Sequence, residues 1–207
     1  MSEQINQIFA RLKKHEGGII GESEAQHSAV ALPIVLENQK PSLLFQTRSY
    51  HLKNQPGDIC FPGGKMEEQD LNSAETAVRE LCEETGIKRL DATHIASLDK
   101  WMMPYGIVIH PHVFSLTDTS FAPNDEVEEL FTVPIDALLN QKPEVYTISS
   151  KAELPEDFPY EKIPGGKDYP FRQTRLPEIF YEYKGKHIWG LTARILQHFL
   201  RVGALAT

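Results

Sequence analysis

Between Asn72 and Gly86 the sequence reads as a helix with both ends marked, and no other stretch limits the fold as tightly. Ala74, Ala77, Val78, Leu81 and Thr85 recur at i, i+3, i+4 and i+7 and form one apolar stripe. Asn72 is placed to cap the first turn, with Glu75 three residues on as the returning partner of a capping box. Gly86 supplies the stop at the other end. Such a helix must bury its stripe against another element, and β-rich segments lie on both sides of it in the chain.

Residues 1–17 read as an amphipathic helix carrying Ile5, Ile8, Phe9 and Leu12 up to Gly17-Gly18. Ala29 to Leu36 and a segment from Leu43 onward form a hairpin around the turn Glu37 to Pro41. A polar stretch from Arg48 to Gly57 follows, then a short strand Ile59-Cys60-Phe61 ending at Pro62-Gly63-Gly64. Strands are expected at 93–99, 107–116 and from Glu126 to Val133, with a short helix at Ile135 to Leu139. Residues 140–178 are rich in Pro, Gly and charge and read as long loops. Phe180 to Tyr183 and His187-Ile188 form a hairpin about Lys184-Gly185, so about 140–186 is a loop or insertion region within a single domain spanning 1–207. Trp189 to Val202 closes the chain with a helix bearing Leu191, Ile195, Leu196, Phe199 and Leu200.

The formal net charge of −8, with no basic stripe carrying interleaved aromatics, argues against a nucleic-acid partner. It leaves phosphate-bearing small molecules open, because cations held by carboxylates reverse the local field. No apolar run reaches membrane-spanning length and no leader pattern is evident. Leu205-Ala206-Thr207 is not a peroxisomal address, so the expectation is a soluble cytoplasmic protein. The two cysteines, Cys60 and Cys82, lack metal or redox spacing and read as packing thiols.

The helix carries its chemistry at Glu80, Glu83 and Glu84, which fall at i, i+3 and i+4 on one face. Like charges so spaced destabilise a helix by roughly 0.2–0.5 kcal/mol per pair, and the negative end of the macrodipole adds to the cost. A solvated acidic face is the bland reading. Clustered carboxylate oxygens also suit Mg²⁺ or Mn²⁺, and Arg79 is placed to orient Glu83 four residues on. Pro62-Gly63-Gly64 just upstream lets backbone approach an ion closely.

Arg79-Glu80-Leu81-Cys82-Glu83-Glu84-Thr85-Gly86-Ile87 resembles the second half of the Nudix hydrolase box, Arg-Glu-apolar-x-Glu-Glu-x-Gly-apolar. The first half departs from the box: counting from Gly64, the acidic position is Asp70 rather than Glu, and eight residues rather than seven separate it from Arg79. That spacing is similar to the coenzyme A diphosphatase branch of the family. The branch's upstream motif, Leu-Leu-x-x-Arg-Ser and then Phe-Pro-Gly-Gly, is matched by Leu43-Leu44-Phe45-Gln46-Thr47-Arg48-Ser49, Gly57 and Phe61-Pro62-Gly63-Gly64, with one residue in excess before the arginine.

The resemblance implies an α/β fold, a Nudix-type α/β/α sandwich with a mixed β-sheet between helices. It implies water attack on a diphosphate with Mg²⁺ or Mn²⁺, the metal held by Glu80, Glu83, Glu84 and the Gly64 carbonyl. Glu83, Glu84, Arg79 and Glu126 are the candidate catalytic residues, Glu126 from the turn at 123–129 as a further ligand or base, and Arg48 is the candidate phosphate-binding residue. For Arg48 the competing reading is a strand-end pair with Asp58, and for Asp70 a brace in the loop before the helix. His110 and His112 read as structural, and Lys167, Arg172 and Arg175 are unplaced cations. The expected substrate is coenzyme A or a derivative. A different nucleoside diphosphate derivative, a nucleoside triphosphate, or a non-catalytic binding module stay open, as does the choice between monomer and homodimer.

Overall fold

A computed structural model describes residues 3–203; Leu205-Ala206-Thr207 and the first two residues of the expected N-terminal helix lie outside the described residues. β1 (Gln26–Glu37) and β2 (Lys40–Arg48) form the expected hairpin. Its turn is tighter than the five residues read from the sequence. Only Asn38 and Gln39 lie between the strands, at φ 51° and 64°, the paired positive values of a type I′ turn.

β3 (Ile59–Cys60) pairs with β2, and β4 (Gly63–Lys65) pairs with β1. β5 (Ala92–Ser97) and β6 (Trp101–Met103) both pair with β7 (Ile107–Leu116), which runs parallel to β1. β8 (Val127–Pro134) pairs with β2, completing one mixed eight-stranded sheet. β4 is a correction to the sequence reading, which ends a strand at Pro62-Gly63-Gly64. Glycines signal no strand of their own, and here β1 imposes the pairing, Val30 opposite Gly63 and Ala29 opposite Gly64.

Alternation along the strands builds two cores, one on each face of the sheet. Ala29, Ala31, Val35, Leu44, Phe114 and Leu116 meet Ala77, Val78 and Leu81 of α2 (Ser73–Thr85). On the other face Leu32, Leu43, Phe45, Ile109 and Val113 meet Ile195, Leu196 and Phe199 of α4 (Gly190–Gly203), with Leu138 of α3 (Ile135–Leu139). The fold is therefore an α/β/α sandwich, as the family resemblance implies. Val78 and Leu81 are almost fully buried, each contributing about 1.5–3 kcal/mol of apolar burial.

α2 begins as expected, with the Asn72 side chain accepting from the N–H groups of Ala74 (2.9 Å) and Glu75 (3.1 Å). The reciprocal half of the capping box does not form, because Glu75 pairs with Arg89 at 3.1 Å instead. At the other end Gly86 has φ 77° and donates to the Cys82 carbonyl, and a Cβ there would strike the Ala122 carbonyl. His110 and His112 face the α2 side of β7. His110 meets His27 at 2.8 Å, and His112 meets the Ser73 hydroxyl at 2.9 Å. Burial holds the His112 imidazole down to about 4, so this ring is a neutral hydrogen-bonding strut under the start of the helix.

The region expected to be loop contains β9 (Glu144–Ser150), which pairs with β10 (Thr174–Tyr183). β10 then turns at Lys184-Gly185 into β11 (Lys186–Trp189), so these strands form a second, three-stranded sheet. Every residue of β9 is exposed, and a strand with no buried face has no apolar alternation to reveal it. Within the described residues α1 (Glu3–Leu12) ends at Leu12 rather than at the expected residue 17, and it buries none of its residues; Phe9 remains 47% exposed. No helix among the described residues is long and apolar enough to cross a membrane.

Candidate functional site

The glutamates of α2 lie on one side of the helix, within an arc of about 100°, but they differ sharply in burial. They fan across the helix from core to solvent. Glu84 is 3% exposed and sits one turn beyond the stripe residue Leu81, whereas the Glu83 side chain is 55% exposed and the Glu80 side chain lies between them at 17%. A rotation of about 100° per residue produces this fan: 80 and 84 are neighbours along the axis, and 83 lies on the outer side of 80.

Glu84 points under the sheet edge, where the Gly63 N–H donates to its Oε2 at 2.8 Å. Burial pushes its carboxyl up to about 7; the Gln46 amide and the Gly63 N–H work against that shift, and the charges of Glu80 and Glu126 add to it. Burial also raises Glu80, with Arg79 opposing. Gly64 packs so closely on Glu80 that a Cβ would land on the carboxylate. The Pro62-Gly63-Gly64 segment thus comes against both inner glutamates, as β4 on the neighbouring strand edge.

Arg79 is fully engaged. It grips Asp70 through two parallel bonds, Nε to Oδ1 and Nη2 to Oδ2, both 3.0 Å. It also reaches Glu80 (2.9 Å), Glu83 (3.3 Å) and the Lys65 carbonyl (3.2 Å). Asp70 further accepts from the Thr76 hydroxyl (2.9 Å) and the Glu67 N–H (3.0 Å). Arg79 holds the Asp70 carboxyl well below the usual carboxylate range. Asp70 is therefore the brace between loop and helix, and Arg79 fixes Glu80 more tightly than the Glu83 partner expected for it.

The loop after β7 brings in Glu126. Ala122 N–H bonds the Thr85 carbonyl (2.9 Å), the Asn124 side chain accepts from Glu126 N–H (2.9 Å), and Ser49 N–H bonds the Glu126 carbonyl (2.8 Å). These bonds hold Glu126 close enough for its charge to be felt by both Glu80 and Glu84. Ser49 is the neighbour of Arg48, so one hydrogen bond ties the two candidate regions together.

Arg48 ends β2 half-buried, with its Nε shielded from solvent and without a hydrogen-bond partner. Asp58 meets it only through the backbone, Arg48 N–H to the Asp58 carbonyl at 2.9 Å, so the competing reading of a side-chain pair with Asp58 does not hold. Arg48 and Cys60 line a cleft of about 330 Å³ with Trp101, Glu178, Trp189 and Arg194. Burial, with the Glu84 charge, pushes the Cys60 thiol up to about 11, in keeping with a packing thiol. Gln46, Trp101 and Arg194 were not singled out from the sequence. Gln46 carries one signal, an amide directly following the apolar run Leu43-Leu44-Phe45. Lys167, Arg172 and Arg175 do not line this cleft; Lys167 lies 6.0 Å over the Tyr160 ring.

As they stand, no three His, Cys, Asp or Glu side chains among the described residues converge as a ready-made metal cage. Glu80 is turned onto Arg79 and Glu84 onto Gly63, which accounts for the lack of convergence. The donor chemistry nevertheless fits a hard divalent cation. Glu80 and Glu84 are carboxylates whose charge is disfavoured by burial and by neighbouring carboxylates, and the adjacent arginine is largely committed to Asp70.

A NUDIX domain model matches residues 25–152. The chain is 33% identical to the mouse (Mus musculus) peroxisomal coenzyme A diphosphatase NUDT7, over 74% of this chain and 66% of that protein's length. It is 32% identical to the human (Homo sapiens) mitochondrial coenzyme A diphosphatase NUDT8, over 87% of this chain and 70% of that protein. It is also 30% identical to the uncharacterized Nudix hydrolase NudL of Pectobacterium atrosepticum, over 84% and 80%. The domain match runs from the start of β1 to the end of β9, taking in the whole main sheet and the glutamate helix, and the chain belongs to the Nudix hydrolase family.

Proposed function

We propose that this Nudix hydrolase, acting as a single domain over 1–207, cleaves the diphosphate bond of coenzyme A or a derivative, giving 3′,5′-ADP and the phosphopantetheine portion. The observation that carries the reading is that the Arg48-to-Gly64 stretch, which bears the coenzyme A diphosphatase signature, folds directly against the glutamate helix. Gly63 bonds Glu84, Gly64 packs on Glu80, and Arg48 opens into the adjoining cleft. The two relatives named as coenzyme A diphosphatases support the same substrate.

Glu80, Glu83 and Glu84, with the Gly64 carbonyl, would hold Mg²⁺ or Mn²⁺. Such a cation supplies neutralisation of phosphate charge and acidifies water. The chain's own groups do the positioning. Gly63 N–H orients the inner oxygen of Glu84, and Arg79 sets the rotamer of Glu80. Glu126, exposed and tethered beside the cluster, takes the proton from the attacking water as general base. Arg48, which lines the adjoining cleft, offers its guanidinium to a phosphate oxygen, a planar donor well suited to that anion.

The test is incubation with coenzyme A and Mg²⁺ or Mn²⁺, with products separated by chromatography, beside Glu83→Gln and Glu126→Gln. Release of 3′,5′-ADP that vanishes in Glu83→Gln and falls strongly in Glu126→Gln is expected. Cleavage of a different nucleoside diphosphate but not of coenzyme A would refute the substrate, and unchanged turnover in Glu126→Gln would refute its role as base.

A further inference from the structure

The Arg48 cleft does not end at Arg194. On the far side of that residue lies a second cavity of about 550 Å³, lined by Asp99, Lys100, Trp101, Arg194, His198 and Arg201. Trp101 and Arg194 border both spaces, so an extended ligand entering by Arg48 can continue past them. α4 presents Arg194, His198 and Arg201 at i, i+4 and i+7, one stripe aimed at the segment 99–101.

The electrostatics of this cavity run against the chain as a whole. The protein carries a formal charge of −8, yet Lys100, Arg194 and Arg201 meet here. Arg194 lies 5.4 Å over the Trp101 ring and donates to the Pro177 carbonyl at 2.9 Å, and it has no carboxylate partner among the described residues. Arg201 likewise has none, and its Nη2 donates to His198 Nδ1 at 3.0 Å. That bond leaves the proton of a neutral His198 on Nε2, which is shielded from solvent and without a hydrogen-bond partner. The Asp99 carboxylate stands 3.3 Å from it, but Asp99 is 89% exposed and free to swing aside for a competing anion. Lys100 is held at the rim by Glu22 at 3.0 Å. Arg201 alone would be explained by the negative end of the α4 dipole. Arg194 and His198 lie earlier in the helix, where that explanation does not reach.

We propose that Arg194, His198 and Arg201 form an anion subsite for a phosphomonoester on the nucleoside end of the substrate, remote from the scissile diphosphate. The proposal rests on the coenzyme A reading only for the identity of that phosphate, the 3′-phosphate of the ribose. Arg194 and Arg201 supply planar donors, and the Nε2–H of His198 supplies the third.

The test is calorimetric binding of 3′,5′-ADP and of 5′-AMP to the full chain, wild type, Arg201→Gln and His198→Ala, with kinetics on coenzyme A and dephospho-coenzyme A alongside. Arg201 is exposed, so the fold should survive its replacement, which melting curves of each variant check. In the wild type 3′,5′-ADP should bind tighter than 5′-AMP by roughly tenfold, the size expected for charge-assisted hydrogen bonds to one added phosphate. Arg201→Gln should remove most of that preference and leave 5′-AMP unchanged, with His198→Ala acting in the same direction. Equal binding of the two nucleotides by the wild type, binding of neither, or an equal loss for both in the variants would overturn the subsite. Cleavage of coenzyme A without discrimination refutes the subsite alone. Discrimination without cleavage of coenzyme A keeps the subsite and refutes the substrate.

Discussion

Replacing Asp70 by Asn tests the brace that joins the loop to the glutamate helix. The substitution preserves shape and removes the charge that accepts both parallel bonds from Arg79. The Asp70 side chain is 4% exposed and that of Arg79 21%, so solvent screens the pair weakly. Removing one partner of a buried pair costs roughly 3–5 kcal/mol when the other charge is stranded. Arg79 is not stranded, since it keeps Glu80, Glu83 and the Lys65 carbonyl. The expected loss is therefore about 2 kcal/mol, within the range for a hydrogen bond to a charged group, and a Tm lower by about 4–8 °C at this chain length. The pH dependence has a definite direction. Arg79 depresses the Asp70 carboxyl in the folded chain, so its contribution is fully present above the unfolded value near ~3.9 and is lost as pH falls toward the folded value. Urea unfolding of both proteins should show a gap that is constant from neutral pH down to about pH 5 and narrows below about pH 4. No gap at neutral pH, or one that widens in acid, would refute this account of the brace.

Gly64→Ala should leave the fold intact, because the clash is with the end of a flexible glutamate, yet push Glu80 off its position and cut turnover on the order of 100-fold. Unaltered turnover with a normal melting curve would show that Glu80 need not sit against that backbone. Mg²⁺ at ten times its dissociation constant should stabilise the wild type by about 1.4 kcal/mol, a Tm rise of about 3–6 °C, and Glu84→Gln should abolish most of the rise. A rise that persists in the variant would place the ion elsewhere. Leu81→Ala, at a fully buried position between α2 and the sheet, should cost about 2–5 kcal/mol in chemical unfolding. Phe9→Ser should shift Tm by less than ~1 °C, since α1 buries nothing; a larger shift that depends on protein concentration would show a second copy covering that helix.

What the sequence reveals and what it hides follow from the range of the interactions. The limits of α2, the hairpin of β1 and β2 and the short helix Ile135–Leu139 are local matters of caps, turn residues and periodicity, and they read correctly. Pairings imposed from outside are not local. β4 exists because β1 accepts two glycines, and β9 because β10 lies beside it; neither has a buried face of its own to announce it. The glutamates were legible as a cluster, but their division into buried, intermediate and exposed depends on where the sheet lies under the helix. The cleft was illegible for the same reason: Arg48, Trp101 and Arg194 are brought together from three distant segments.

The departure at Asp70 has a consequence for the whole site. An aspartate is one methylene shorter than a glutamate, and the additional residue before Arg79 lets the loop carry that shorter carboxylate onto the guanidinium. Once there, it takes the two best donors of Arg79, and Thr76 and Glu67 lock it in place. Only one nitrogen of Arg79, Nη1, is left to serve Glu80 and Glu83 together. Glu84 receives nothing from Arg79 and depends on a backbone N–H and an amide. The result is a helix face where burial and neighbouring carboxylates raise the cost of ionising Glu80 and Glu84, while two of the three guanidinium nitrogens of the nearest cation go to Asp70. A site meant only to be stable would let the arginine neutralise its glutamates. This one gives the arginine largely to Asp70 for orientation, and on the proposed function the remaining negative charge is what a divalent ion would balance.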